Sequence, residues 1–288
     1  MLPGSGRADK PPAGGAEQIV AVSSSSGPQI EMLQPNGRSR VVYRGLKTED
    51  AFIDGLSFSP GGTELAFTES GGNPSRALIV LNLSSKRAVQ VPTAHLTANS
   101  PSFLRDGRIV FSGGREGADR QGGTYSVRPD GSGLRRLFGR RELAAASDGN
   151  TFVATDPHGN FRSLFLLDRK GRVVRRIAGP TPGGVEDLDP VFSPDGRSVV
   201  YTEERFLGTE VHGTLYLVGR DGTHRRRLTL GAESATEASF SPDGRHVIFA
   251  RSPGRTGGTL FTLPLAHPAK IRQIGLSAGY QSPAWGSR

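Results

Sequence analysis

A six-residue motif, FSPDGR, occurs twice in this chain, at 192–197 and again at 240–245. Three related motifs, FSPGGTELAF, FLRDGRIVF and ASDGNTFVA, start at Phe58, Phe103 and Ala146. Aligned on the residue before the turn glycine, the five motifs are 45, 42, 47 and 48 residues apart, at Gly61, Asp106, Asp148, Asp195 and Asp243. A repeat of this length that contains strands and turns is typical of β-propeller blades.

The residues of the motif are those that a tight turn requires. In Ser-Pro-Asp-Gly, proline sets φ at the second turn position, aspartate tolerates the third, and glycine adopts the left-handed conformation that follows. The motif therefore predicts a hairpin closed by a type I turn with a glycine bulge. Because Asp195 and Asp243 fall in different repeats, we interpret them as turn residues and not as a pair of catalytic carboxylates.

Each repeat predicts four strands. The inner strand ends at the motif, and the second strand is rich in β-branched and aromatic residues, as in SVVYT (198–202) and HVIFA (246–250). Such runs are expected for strands buried on both faces between stacked blades. A third strand, such as ALIVLN (77–82) or GTLYLV (213–218), follows a variable loop, and the outermost strand is rich in arginine.

The two ends of the chain are expected to share one blade. Residues 18–44 hold only three strands, while the C-terminal YQSPAWGSR places Trp285 45 residues after Phe240, in register with an inner strand. Joining the ends in this way removes an open sheet edge. The sequence predicts a flexible tail or linker over 1–17 and one all-β domain over 18–288, a six-bladed propeller of four-stranded antiparallel blades closed by the C-terminal strand.

The combination of SPDGR before a VVYT-type strand with SPAW at the closure resembles the WD-like repeats of the TolB family. That family has the periplasmic six-bladed propeller of the Tol envelope system, and the resemblance covers about residues 18 to 286. It implies the propeller fold and a binding or scaffold role outside the cytoplasm. We find neither the α/β domain that precedes the TolB propeller nor the hydrolase domain of prolyl oligopeptidase relatives, so neither activity is carried over.

The composition of the chain excludes several structural features. The chain has no cysteine, which excludes disulfides and thiolate metal sites. Its longest apolar runs, such as ALIVLNL (77–83), have the length of a strand and are too short to span a bilayer. The first 18 residues lack an apolar core, so no signal peptide is expected in this chain, although a leader removed earlier is compatible with it.

The loops opposite the motif turns, on what we call the top face, are long and differ between blades. Examples are SGGREGADRQGG (112–123), EERFLGTEVHG (203–213) and RSPGRTGG (251–258). Variable loops on a rigid scaffold are where binding usually occurs. The top face and the mouth of the central channel are therefore the predicted functional surface.

Carboxylates concentrate in TEDAFID (48–54), GGVEDLDP (183–190) and ESATEA (233–238). We expect these segments to lie just before inner strands and to converge on the channel mouth. They predict a site for a cation, an amine or a basic peptide, with ordinary solvated loop carboxylates as the alternative. The candidate binding residues, including Glu203 and two histidines of the top face, are Asp54, His95, Glu186, Asp187, Asp189, Glu203, His212 and Glu237.

No motif supports a metal ion, a cofactor or a catalytic residue. His95, His158 and His212 map to the top face, and imidazole titrates near neutrality. Their spacing matches no metal-binding motif, and the acidic segments lack the D-x-D-x-D-G pattern of a calcium loop. We predict no metal site and no cofactor.

Arginine pairs and triplets fall on the outermost strands, in LRRLF, VVRRIA and HRRRLTL. Charges on edge strands block edge-to-edge pairing, which is the interpretation we favour. The net charge of +9 leaves attraction to an anionic envelope polymer as an alternative. Nucleic acid is not an expected partner, because there is no recognition helix and no aromatic stripe among the basic residues.

The sequence thus favours a monomeric, periplasmic or extracellular scaffold that binds a protein or peptide at its top face, with a cytoplasmic location left open. The alternatives are a lyase or hydrolase that uses top-face carboxylates and histidines, and a polymer binder. A pocket with shifted pKa values would favour the enzyme. An apolar patch on the top face would favour the partner-binding scaffold. A steep salt dependence of polymer binding would favour the polymer binder.

Overall fold

The computed structural model describes residues 17–23, 27–34, 38–116, 122–139, 143–145, 149–156, 163–179, 185–208, 210–230, 234–252, 258–274 and 279–287. Within these ranges the backbone forms 24 β-strands and no α-helix. No described segment is a helix with the length and apolarity needed to cross a bilayer. The predicted tail falls almost wholly outside the described residues, and Glu17 already belongs to the first strand.

The strands form six four-stranded antiparallel sheets, which are the blades of a propeller. From the inner strand outwards, blade 1 has the order β24-β1-β2-β3, and blades 2 to 6 each take four consecutive strands, starting with β4 to β7. The strands are β1 Glu17–Ser23, β2 Gln29–Leu33, β3 Ser39–Arg44, β4 Ile53–Phe58, β5 Glu64–Ser70, β6 Arg76–Asn82, β7 Ala88–Gln90, β8 Asn99–Phe103, β9 Ile109–Gly113, β10 Gly123–Val127, β11 Arg135–Gly139, β12 Leu143–Ala145, β13 Thr151–Asp156, β14 Ser163–Asp168, β15 Val173–Ala178, β16 Val185–Phe192, β17 Ser198–Leu207, β18 Glu210–Gly219, β19 Arg226–Arg227, β20 Ser234–Phe240, β21 His246–Ser252, β22 Thr259–Pro264, β23 Arg272–Ile274 and β24 Tyr280–Ser287.

The closure predicted from the sequence is confirmed. Strand β24 pairs antiparallel with β1, from Glu17 opposite Ser287 to Ser23 opposite Tyr280. Trp285, whose position in register with the inner strands would suggest a buried side chain, is only partly buried. The buried side chains of the closing strand include Tyr280 and Ala284.

The core lies between neighbouring blades. The second strands of blades 2 to 6 are buried on both faces, as their apolar runs predict. Each contributes one fully buried aromatic side chain, Phe67, Phe111, Phe152, Tyr201 or Phe249. Stacking of adjacent sheets through these side chains gives a rigid ring, which fixes the inner strands around the central channel.

The same backbone geometry recurs in the described inner strands of five blades and shapes the channel wall. Each of these strands has an irregularity in its pairing with the second strand. One residue at each irregularity has a left-handed backbone, with φ between 46° and 67°, at Gly55, Ser100, Asp189, Glu237 and Ser282. Only glycine adopts this conformation without strain, so the four non-glycine residues mark places where the fold constrains the backbone.

The turn interpretation of the FSPDGR motif is supported by its hydrogen bonds. Asp195 Oδ1 accepts from Ser193 Oγ at 2.6 Å and from the backbone N–H of Arg197 at 3.0 Å. The following Gly196 has φ of 70°. Asp243 makes the equivalent bonds in blade 6, so both carboxylates serve the turn.

Replacing either turn aspartate by alanine is expected to lower the free energy of unfolding by about 1 kcal/mol, the typical cost of a point substitution. The reason is that Asp195→Ala and Asp243→Ala each remove the acceptor of a serine hydroxyl and of one backbone N–H. Urea denaturation measures the change. A folded Asp195→Ala variant that lost the binding proposed below would show that the motif is functional and not architectural.

Candidate functional site at the channel mouth

The acidic residues lie within inner strands and not before them, which corrects the prediction. Asp54 is in β4, Glu186, Asp187 and Asp189 are in β16, and Glu237 is in β20. The inner strands start earlier than the motif suggests. Before the irregularity in its pairing, each of them is already paired with the C-terminal part of the second strand. Asp54, Asp189 and Glu237 thereby form part of the channel wall.

A cavity of about 290 Å³ opens at the channel mouth between blades 1, 2 and 6, and we call it the channel-mouth cavity. Its polar wall has two carboxylates joined through one serine. Asp54 Oδ1 accepts from Ser282 Oγ at 2.9 Å and from the N–H of Gly55 at 2.7 Å. Glu237 Oε2 accepts from the N–H of Ser282 at 2.6 Å. The lining residues are Phe52, Ile53, Asp54, Glu237, Gln281 and Ser282.

None of the described residues that line the cavity carries a positive charge. Burial raises the pKa of Glu237 to about 7, and the nearby charges of Asp189 and Asp54 raise it further against the hydrogen bond from Ser282. At neutral pH this side chain is therefore divided between its neutral and ionised forms. A cation placed in the cavity would favour the ionised form, because an opposite charge lowers the pKa of a carboxyl group.

One arginine lies at the edge of the cavity. The guanidinium of Arg76 is 4.4 Å from the centre of the Phe52 ring and donates to the side chain of Asn99. Burial lowers the pKa of Arg76, and the charge of Asp54 opposes that effect. Arg76 therefore offsets part of the charge of Asp54, while the charges acting on Glu237 are those of Asp189 and Asp54.

Two of the predicted binding residues lie elsewhere, in the contact between blades 4 and 5. Asp187 is only 2% exposed, and neither of its carboxyl oxygens has a hydrogen-bond partner in the described part of the chain. Glu203 is also buried and pairs with Arg225. The structure does not bring these two carboxylates together with those of the channel-mouth cavity.

The remaining predicted residues are distributed over the top face. Glu186 is opposite Glu204 in the β16–β17 pair, and His95 is exposed on the turn between β7 and β8, with φ of 63°. His212 is opposite Arg205 in a hairpin that replaces the loop predicted over 203–213. His158 lies outside the described residues.

Sequence reasoning missed Ser282 and Arg225. Ser282 could have been found from the repeat, because the dipeptide Ser282-Pro283 aligns with Asp189-Pro190 when the inner strands are superposed on their aromatic ends. The prediction that Arg225 is an outward edge charge, like the other arginines of HRRRLTL, is wrong. Its guanidinium stacks 3.9 Å from the centre of the Tyr216 ring and bonds to Tyr201.

Among the described residues no group of three or more histidine, cysteine, aspartate or glutamate side chains is arranged to hold a metal ion. The two cavity carboxylates instead face a small space bordered by the apolar side chains of Phe52 and Ile53. This combination suits an ammonium or guanidinium group on an apolar stem, because such groups pair with carboxylates while their methylenes pack on apolar surface.

Comparison with known proteins gives the fold. No family model matches the chain. Dipeptidyl-peptidase 5 of Trichophyton tonsurans is 26% identical over 148 residues, which cover 49% of this chain and 19% of that protein. The chain thus spans about a fifth of the length of the curated relatives it matches.

Solved structures cover almost the whole chain. TolB from Acinetobacter baumannii has a TM-score of 0.71 at 18% identity, covering 95% of this chain and 67% of that one. A TolB-like protein from Agrobacterium tumefaciens has a TM-score of 0.69 at 18% identity, with 92% and 91% covered. Hydrazine synthase of Kuenenia stuttgartiensis reaches 0.71 at 14% identity, with 94% and 46% covered. The chain therefore has the six-bladed β-propeller fold of the TolB type.

Proposed function

We propose that this propeller is a binding scaffold that takes a protein or peptide partner on its top face and holds one cationic group of that partner in the channel-mouth cavity. The observation that carries the proposal is the pair Asp54 and Glu237. They come from two different blades and meet through Ser282 at one cavity. Carboxylates at a narrow mouth create a negative field that concentrates cations.

The size of the cavity supports a side chain of a larger partner over a free small molecule. Pockets for complete small-molecule ligands usually measure about 300–1,000 Å³, and this cavity of about 290 Å³ is at the lower limit. It is large enough for the end of a lysine or arginine side chain, or for an amino terminus. The remainder of the partner would then rest on the top face.

The top face also carries exposed apolar side chains, of which Phe52 lines the cavity. Five of the eight large hydrophobic residues that are exposed in the described part of the chain lie in top-face segments, with exposed fractions from 38% to 68%. We propose that a partner bound at the cavity covers some of this apolar surface, as contiguous apolar surface does at protein interaction sites. The five residues are Leu46, Phe52, Phe206, Leu207 and Leu230.

The cellular setting of the proposal comes from the resemblance to TolB. We propose that the chain acts as a monomer in the periplasm or outside the cell. The arginines of the outer strands serve mainly to protect sheet edges. Binding to an anionic polymer through them would show a steep loss of affinity with added salt, whereas a cation held inside the cavity is screened less.

Binding of a cationic probe is expected to strengthen with pH. The probe is a library of apolar pentapeptides with one central lysine, and norleucine replaces lysine in the matched library. Glu237, with a pKa of about 7, is ionised above that pH. The ionised fraction, and with it the affinity, should rise about tenfold between pH 6 and pH 8. Fluorescence anisotropy of the labelled lysine peptides measures the change.

Two pairs of variants separate the cavity from the outer strands. Asp54→Asn with Glu237→Gln should weaken lysine-peptide binding at least tenfold and abolish its pH dependence, because both substitutions keep the shape and remove the charge. Arg226→Gln with Arg227→Gln, on the exposed β19, should leave affinity unchanged. The reverse result would favour the polymer-binding alternative.

A second candidate function, an enzyme, is favoured by one observation. A glutamate with a pKa near the working pH is suited to general acid–base catalysis, and Glu237 has such a pKa. In that case Glu237→Gln would abolish turnover of a peptide substrate while the substrate still bound. If the wild type turns over no peptide and Glu237→Gln binds the peptide more weakly, the result supports the binding scaffold.

A further inference from the structure

A row of polar side chains crosses blade 5 on the face that packs against blade 4. Asp187 on β16 is opposite Glu203 on β17, and Tyr201 on β17 is opposite Tyr216 on β18. Residues two apart on a strand share a face, so these four side chains point the same way. Tyr201 belongs to a core cluster with Leu164, Ile177 and other residues of blade 4. The row is therefore buried in the contact between the two blades.

Arg225 reaches along this row from the segment before β19. Its Nε donates to the hydroxyl oxygen of Tyr201 at 2.6 Å, and its Nη2 donates to Glu203 Oε2. The guanidinium also lies over the ring of Tyr216. Its direct ion pair is with Glu203, and its hydrogen bonds in the described structure go to Tyr201 and Glu203.

Asp187 is at the buried end of the row. Both of its carboxyl oxygens lack a hydrogen-bond partner among the described residues. Blade 4 packs directly on it, because a Cβ atom placed on Gly179 would lie 2.6 Å from Asp187 Oδ2 and 2.9 Å from Ser163 Oγ. Gly179 also has φ of 65°, so both backbone conformation and space require glycine there.

Within the described part of the chain, the charges facing Asp187 do not balance an ionised carboxylate. Strand β17 presents Glu203 and Tyr201, and the segment before β19 presents Arg225. From blade 4 the described neighbours are Ser163 and Gly179, which do not titrate in this range. On the other side of β16, Glu237 of β20 lies near Asp189 and adds only negative charge. Among these described groups, Asp187 and Glu203 therefore share one guanidinium.

We propose that the proton on Asp187 controls the contact between the top ends of blades 4 and 5. The neutral acid is compatible with the closed contact, and the carboxylate opens it. Burial, followed by the charge of Glu203, raises the pKa of Asp187 to about 7 against the opposing charge of Arg225. The change therefore occurs near neutral pH.

The element that moves is the hairpin of β17 and β18. These strands have ten residues each, against five to seven in the described second strands of blades 2, 3, 4 and 6. The pairing continues past Glu203 to Leu207 opposite Glu210, so Asp187 and Glu203 lie at the base of an extended arm. Opening of the contact would loosen this arm and the exposed Phe206 and Leu207 that it carries. This inference does not depend on the proposed function.

Hydrogen exchange of segments within 198–219, corrected for intrinsic rates, tests the proposal at pH 6 and pH 8. If the blade contact opens only when Asp187 is ionised, opening follows the ionised fraction of Asp187, which rises about tenfold from pH 6 to pH 8. The wild type should therefore show about tenfold less protection at pH 8 than at pH 6. Asp187→Asn, which is neutral at both pH values, should remove this difference. Glu186→Gln, one position away on the other face of the strand, should behave as the wild type does.

A second variant keeps the test informative if Asp187→Asn does not fold. Glu203→Gln removes one of the two carboxylates and frees Arg225 to pair with Asp187, so the loss of protection should become smaller. Persistence of the full tenfold difference in either variant, or equal protection of the wild type at the two pH values, would overturn the proposal.

Discussion

Removal of residues 279–288 is expected to prevent the chain from folding at 25 °C. The deletion takes away β24, the inner strand of blade 1, and leaves the whole edge of β1 without a partner. It also removes Tyr280, which is buried and donates to Glu31 Oε2 at 3.0 Å. Deleting one large buried aromatic side chain costs about 3–5 kcal/mol, while a native domain has only about 5–15 kcal/mol of stability in total.

Circular dichroism during heating measures the effect of this deletion. A matched deletion of residues 287–288 keeps β24 from Tyr280 to Gly286 and should melt close to the intact chain. A synthetic peptide of residues 279–288, added to the truncated chain, should restore a cooperative transition. If the truncated chain melts like the intact one without the peptide, ring closure by β24 does not hold the fold together.

Arg225→Ala is expected to have the second largest effect, a loss of roughly 3 kcal/mol in the free energy of unfolding at pH 8. Removing one partner of a buried ion pair typically costs 3–5 kcal/mol, because the other charge stays buried without compensation. Here Glu203 and Asp187 both lose their cation. We take the lower end of the range because the side chain of Arg225 is 39% exposed while that of Glu203 is 7% exposed.

The neighbouring Arg226→Ala provides the control. Arg226 is exposed and donates to the backbone oxygen of Leu265 at 2.8 Å, so its loss should change stability by no more than about 0.5 kcal/mol. Adding Glu203→Gln to Arg225→Ala should recover part of the lost stability in urea denaturation. Equal effects of Arg225→Ala and Arg226→Ala would mean that both are ordinary edge charges, as the sequence had suggested.

The number of blades, their strand order and the closure were predictable because they depend on local turn chemistry repeated at a fixed spacing. The Ser-Pro-Asp-Gly turn determines where each inner strand ends, and side-chain alternation follows from there. Where an inner strand begins depends on how far it pairs with its neighbour. For that reason Asp54, Asp189 and Glu237 were assigned to loops although they lie in strands.

The candidate site was predictable only in part. Convergence of the inner strands on one axis is a property of the fold, so Asp54 and Glu237 could be expected near each other. The contacts of a side chain that reaches across a sheet could not be predicted in this way, because they do not follow from the positions of the strands alone. Arg225 bonds to Glu203, 22 residues away, with its guanidinium over the ring of Tyr216, and no spacing rule distinguishes it from Arg226.

Titration of Glu237 by NMR, with 13C-labelled glutamate carboxyl groups and Glu237→Gln to assign the signal, tests the central claim most directly. The account predicts a pKa of about 7 in the free protein. Saturation with the tightest lysine pentapeptide should lower that pKa, because a cation in the cavity stabilises the carboxylate. The norleucine peptide should leave it unchanged. An ordinary glutamate pKa in the free protein, or a pKa that the lysine peptide does not lower, would contradict the account.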